Sequence, residues 1–184
     1  MGTEALERPL PKPTMEDYVG ARLLEAIVES RLALEFLGRG LVRNAAGKAF
    51  QAWRALLAAL LRLELDKLAQ LAKTEEEKKW LVSKAIPRIP TSRMISLSQM
   101  LEEIGYSEIT FITDRALNLH DYQYNGPDPD MALSKYRNRE EASKAIKSLI
   151  KEVMRLIEGL KTRIKWGSEL ENEYEELKKM LTSS

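Results

Sequence analysis

Apolar residues recur along most of this chain at intervals of three and four, with polar residues between them, the spacing of α-helices that bury one face. From Met15 to Leu37 the residues Leu23, Leu24, Ile27, Leu32 and Leu34 mark a first helix, closed by Gly38 and Gly40. A long second helix is predicted from Leu41 to Ala72. Its face Ala46, Ala49, Phe50, Trp53, Leu57 and Leu60 is apolar at helical spacing, which places it at the centre of a bundle. Thr74 with Glu77, Ser96 with Gln99, Asn138 with Glu141, and Ser168 with Glu171 each have the spacing of a cap and its third helical residue, and predict four further starts. Pro87 and Pro90 interrupt the chain after the third helix, and Gly105 ends a short fourth. The next helix is predicted over Ser107 to Tyr124, with Asn125-Gly126-Pro127 as its stop and local strand character at Ile109 to Ile112.

The helix predicted from Asn138 to Trp166 has the cleanest two faces. Ile146, Leu149, Ile150, Val153, Ile157, Leu160 and Ile164 share one side, and Lys144, Lys147, Lys151 and Arg155 share the other, which reads as a solvated outer face. The last helix, Ser168 to Leu181, is rich in glutamate and carries a thin stripe of Leu170, Tyr174, Leu177 and Leu181, suited to packing back or to docking on a partner. No sheet and no internal repeat is legible. The fold class is therefore all-α, an antiparallel helical bundle. Residues 1–13, with Pro9, Pro11 and Pro13, read as an extended or disordered arm, and 14–184 as one domain with 167–184 as an accessory helix.

Composition narrows the chemistry. The 184 residues are 44% hydrophobic, enough for a real core. There is no cysteine and one histidine, which excludes disulfides, thiolate zinc sites, cysteine nucleophiles and a two-histidine metal centre. Nothing implies a cofactor. A net charge of +1 gives no global attraction to nucleic acid, so any RNA site must be a local patch. The longest apolar run, Ala55 to Leu61, is too short to span a bilayer, and the N-terminus lacks the apolar core of a signal peptide; a cytoplasmic protein without a membrane role is expected.

The sole histidine lies in Arg115-Ala-Leu-Asn-Leu-His120-Asp-Tyr122. Histidine can give and take a proton near neutral pH, and arginine is a forked cation suited to phosphate. On a helix, residues five apart stand about 140° apart, so Arg115 and His120 flank a narrow stripe of Ile112, Ala116 and Leu119. If that stripe meets its own copy, a twofold axis gathers both pairs in one cleft. Asn118 and Tyr122 lie three and seven residues beyond Arg115 and extend the polar cluster, Asn118 being placed to fix a phosphate or orient a base. The same residues also suit a purely structural role in helix packing. A second polar face, Asn44, Gly47, Lys48 and Gln51, lies on the second helix opposite Phe50 and Trp53. Gly47 admits a close helix approach there, and the face reads as a packing site or a wall of the same cleft. Gly47-Lys48 is no phosphate loop, because Ala49 stands where Ser or Thr is needed and no strand precedes it. In Asp128-Pro-Asp130 the expected role of Asp130 is to cap a following short helix.

Arg-x-x-x-x-His-x-Tyr near the end of a helical bundle resembles the signature of the HEPN superfamily. That resemblance implies a bundle of four to five helices, usually a homodimer, with Arg and His at the dimer interface serving a metal-independent ribonuclease. His120 would be general acid or base at the ribose 2′-hydroxyl, and Arg115 would stabilise charge on the attacked phosphate. Tyr122 matches the position that accepts a nucleotide in HEPN toxins paired with a small nucleotidyltransferase. Ala116 departs from the polar residue that many active members carry after the arginine. The segment Gly40-Leu-Val-Arg43-Asn44-Ala-Ala-Gly47-Lys48-Ala-Phe50-Gln51-Ala-Trp53 is similar to the archaeal PaREP family, over about Tyr18 to Gly126. Two functions are expected on this basis. One is a dimeric ribonuclease or toxin-like effector acting on RNA through Arg115 and His120. The other is a noncatalytic helical module that pairs with itself, with a nucleotidyltransferase-like protein or with nucleic acid.

Overall fold

The computed structural model describes residues 3–14 and 16–183, and among them all regular structure is helical. The predicted start at Met15 lies outside the described residues, as do Met1 and Gly2 of the arm. Within that arm Glu4–Glu7 form one helical turn, α1, which seats Ala5 and Leu6 against the core. The arm is further tied down by the ion pair Arg8–Glu169 at 2.8 Å and by Arg62 donating to the carbonyl of Pro13. Helix α2 spans Tyr18–Gly38 and α3 spans Val42–Leu63.

The long second helix predicted to Ala72 breaks at Glu64, and α4, Leu65–Leu71, restarts beyond it. Glu64 leaves helical geometry where its buried carboxylate meets three distant or offset donors: Tyr106 at 2.7 Å, Arg163, and Lys67 at 2.9 Å. Helix α5, Glu75–Trp80, begins at the predicted cap, with Thr74 Oγ1 accepting from the Glu77 amide. It runs through a wider π-type turn, Leu81–Ala85, into α6, Ile86–Arg88, and so passes Pro87 where a stop was expected. A proline cannot bond the carbonyl four residues back and crowds it, and the widened turn absorbs that loss. The carbonyls at this end are capped from α2, Ile86 by Tyr18 at 3.1 Å and Pro87 by Arg22 at 2.7 Å.

Helix α7, Met94–Glu103, starts before the expected cap at Ser96, whose hydroxyl instead donates back to the Arg93 carbonyl. Helix α8, Ile109–Asn125, absorbs the strand-like Ile109 to Ile112 because both isoleucines point into the core. Helix α9, Arg139–Leu160, has Asn138 as its cap and ends six residues before Trp166, where Arg163 turns to Glu64 and Lys161 lies over the Trp166 and Tyr174 rings. Helix α10, Ser168–Ser183, packs back on α2, burying Leu170, Tyr174 and Leu177, with Arg31 paired to Glu173.

Helix α3 is the axis of the bundle, packed by α2, α8 and α9. From Ala55 to Leu61 it is buried on every side, the signature of a helix with no solvent face. Trp53 donates to Thr113 Oγ1 at 2.9 Å, and Thr113 shares a 2.6 Å hydrogen bond with Ser98, so one buried polar chain joins α3, α8 and α7. No helix among the described residues is long and apolar enough to cross a membrane.

Candidate functional site

Helices α3 and α8 run antiparallel, with Gly47 against Gln123, Phe50 against His120, and Trp53 against Thr113. Gly47 is what lets them close: a Cβ there would stand 2.6 Å from the Gln123 amide. The second polar face of the sequence is therefore a helix contact on one margin, as expected of Gly47. Arg43 strengthens the contact by donating Nε to the Gln123 carbonyl at 2.9 Å and a second nitrogen to that of Tyr124, capping the C-terminus of α8.

The two motif residues stand on opposite margins of α8. Arg115 is exposed and turns to α9, where it donates to Ser148 Oγ. His120 turns to α3, its ring stacked on Phe50 at 4.2 Å and met edge-on by Tyr124 at 5.1 Å. Between them Ile112, Ala116 and Leu119 are buried in the chain's own core, so the stripe imagined as a seam between copies is already covered. The reason is that α3 and α9 both pack on that side of α8.

The His120 ring is half-buried, with Nδ1 buried and without a partner, which leaves Nε2 as the reachable nitrogen. Burial pushes its pKa below the usual value, Asp121 opposes this, and Arg54 adds to it, a balance that favours the neutral imidazole. Arg54 was not singled out by sequence. It lies one turn beyond Phe50 on α3, and only the antiparallel pairing with α8 brings it beside the histidine; an arginine inside a mostly apolar helix was the one available signal.

Lys48 forms an ion pair of 3.0 Å with Glu29 on α2, whose carboxyl is pushed up by burial despite Lys48 and Arg54. Gln51 is half-buried on the strip between Lys48 and Arg54, and Asn44 is exposed in the first turn of α3. Asn118 is half-buried on the outer side of α8.

Tyr122 is completely buried, and its hydroxyl has no hydrogen-bond partner. The segment from Gly126 to Arg137 folds back over it and lays Tyr136 against it edge-on at 6.0 Å. Burial pushes the Tyr122 hydroxyl up, with Arg139 and Arg43 pulling the other way. That returning segment contains no helix for Asp130 to cap. Asp128 staples it instead, accepting from the amides of Leu133 at 2.6 Å and Ser134 at 3.1 Å.

On α9 the basic ridge is matched locally by acids, Lys144 with Glu140 at 2.8 Å and Arg155 with Glu152 at 2.7 Å, as a solvated face should be. Among the described residues no group of three or more histidine, aspartate or glutamate side chains is placed to hold a metal ion.

No curated protein and no solved structure matches the chain. The model of the archaeal PaREP1/PaREP8 family matches residues 21–165, from the second turn of α2 to the loop after α9, and takes in the α3–α8 contact and every residue of the motif. With most of its length so matched, the chain belongs to the archaeal PaREP1/PaREP8 family.

Proposed function

We propose that this chain is a noncatalytic interaction module, a HEPN-like bundle that pairs with a second copy of itself through the outer face of α8. The observation that carries this reading is Phe111, a large aromatic in the first turn of α8 that is 76% exposed. Phe111, Asp114, Arg115, Asn118, Asp121 and Asn125 fall within an arc of about 120°, and all but the half-buried Asn118 are exposed.

The face is complementary to itself. A twofold axis through Asn118 sets Arg115 opposite Asp121 of the partner subunit, twice over, because residues whose numbers sum alike face each other in antiparallel helices. The same axis sets Phe111 opposite the partner's Asn125. The Asn125 side chain is bonded to the carbonyl of Leu133, which is itself 68% exposed, so each apolar projection finds an apolar neighbour.

The competing reading, a metal-independent ribonuclease acting on RNA, draws on the neutral His120. Its difficulty is geometric. In the seam each Arg115 would face an aspartate of the partner subunit, and the histidines stand about 160° behind Asn118, so arginine and histidine do not share a cleft. Modification of Tyr122 by a nucleotidyltransferase-like partner would first require the Gly126 to Arg137 segment to open.

Charge reversal tests the assembly. Arg115→Asp and Asp121→Arg should each give monomers by light scattering, and the double exchange should restore the dimer. A panel of RNAs incubated in EDTA should be cleaved no better by wild type than by His120→Ala. A wild-type monomer at tens of micromolar would end the assembly proposal, and cleavage that depends on His120 would favour the ribonuclease.

A further inference from the structure

On the side of α8 away from that face, helix α3 presents a strip of half-buried polar side chains, Lys48, Gln51 and Arg54, between α2 and α8. Their charges do not balance. Lys48 is spent on Glu29, at 3.0 Å. Arg54, one turn beyond Phe50, forms no ion pair and no hydrogen bond among the described residues, although it is half-buried. A guanidinium carries five donors and normally fills them, with carboxylate or phosphate as the oxygen acceptors whose geometry it matches. Beside it stands His120, whose position is set by the Phe50 stack and whose reachable nitrogen is Nε2.

We propose that this strip is a binding site for a phosphate-type oxyanion, with Arg54 as its principal ligand and the Gln51 amide and His120 Nε2 at its edge. The Arg54 nitrogens are open to solvent, and the oxyanion replaces water at donors that no protein acceptor holds. His120 contributes as a hydrogen-bond donor through Nε2, a role the neutral ring fills when Nδ1 carries no proton. Tyr124, 64% exposed and edge-on to His120, offers a ring to a base or sugar attached to the phosphate. The charged groups around His120 are Asp121 on its own helix and Arg54 on α3, with Glu29 on α2 offset by Lys48. Of the acids nearby, Glu29 is paired with Lys48 and Glu25 with Arg22, and the exposed Asp121 is the one beside His120 that opposes an anion. This site is separate from the α8 seam, and neither proposal depends on the other.

Because the chain has a single histidine, its imidazole C–H resonances report on the site without assignment. The full-length protein is titrated with inorganic phosphate, and separately with adenosine 5′-monophosphate, at constant ionic strength set by chloride. The expected result is a saturable shift of the His120 resonances and a rise of its apparent pKa by about one unit as the anion favours the imidazolium. The shift should be lost in Arg54→Gln, partly kept in Arg54→Lys, and unchanged in Arg115→Gln. Equal affinity for the two ligands identifies free phosphate as the occupant, and tenfold tighter binding of the nucleotide identifies a nucleotide; both support the site. A linear shift reproduced by chloride, or one that survives in folded Arg54→Gln, would overturn it.

Discussion

Glu64 is the most consequential side chain outside the motif, and its replacement by glutamine has a calculable cost. It is 3% exposed, at the break between α3 and α4, and accepts from Tyr106, Arg163 and Lys67. Burial pushes its carboxyl up, and those three donors outweigh it, holding the pKa at about 2 against an ordinary 4.5. At about 1.36 kcal/mol per unit this interval corresponds to ~3 kcal/mol, an upper figure because Arg163 is itself 41% exposed. Since the folded value lies below the unfolded one, the stabilisation is complete above pH 4.5 and disappears as pH falls toward 2. Urea unfolding followed by circular dichroism should therefore find Glu64→Gln ~2–3 kcal/mol less stable than wild type at pH 7, with roughly half that gap at pH 3. Tyr106→Phe should cost about 1–2 kcal/mol by removing one donor to a charged acceptor. A gap below about 0.5 kcal/mol at pH 7, or one that does not change with pH, would refute the reasoning.

Three further outcomes follow from buried polar atoms. Thr113→Val should cost about 1–3 kcal/mol in denaturant, because it strands the Trp53 indole N–H and removes the Ser98 contact. Tyr122→Phe should be neutral or stabilising by about 1 kcal/mol, since it deletes a buried hydroxyl with no partner; a clear loss of stability would mean that the hydroxyl is bonded in solution. The imidazole of His120 should titrate below 6.5, and Arg54→Gln should move it upward by removing a repelling charge; a wild-type value at or above 6.5 would contradict the burial on Phe50.

What could be read from the sequence was whatever depends on near neighbours. The apolar face of α3, the caps Thr74 and Asn138, the stripe of α9 and the stop at Gly126 are all set by residues three or four apart. The break at Glu64 was not legible, because Leu60 to Leu71 is helical in composition and the break is imposed by Arg163, 99 residues away. The end of α9 at Leu160 is the other half of the same contact. Among the site residues, uniqueness pointed to His120, and the 140° between it and Arg115 is simple arithmetic. Which side of α8 would be covered is a tertiary fact. It turned Ile112, Ala116 and Leu119 inward, closed the Gly126 to Arg137 segment over Tyr122, and gave His120 the company of Arg54.

The absence of cysteine makes the α8 seam open to a direct proximity measurement. In Asn118→Cys the two thiols of a pair would face each other across the twofold axis, with helix axes about 8–10 Å apart. A short bismaleimide at low protein concentration should then convert Asn118→Cys to a covalent dimer and leave Lys151→Cys, on the exposed side of α9, monomeric. Asn118→Cys remaining monomeric, or linking no faster than Lys151→Cys, would contradict self-pairing through α8.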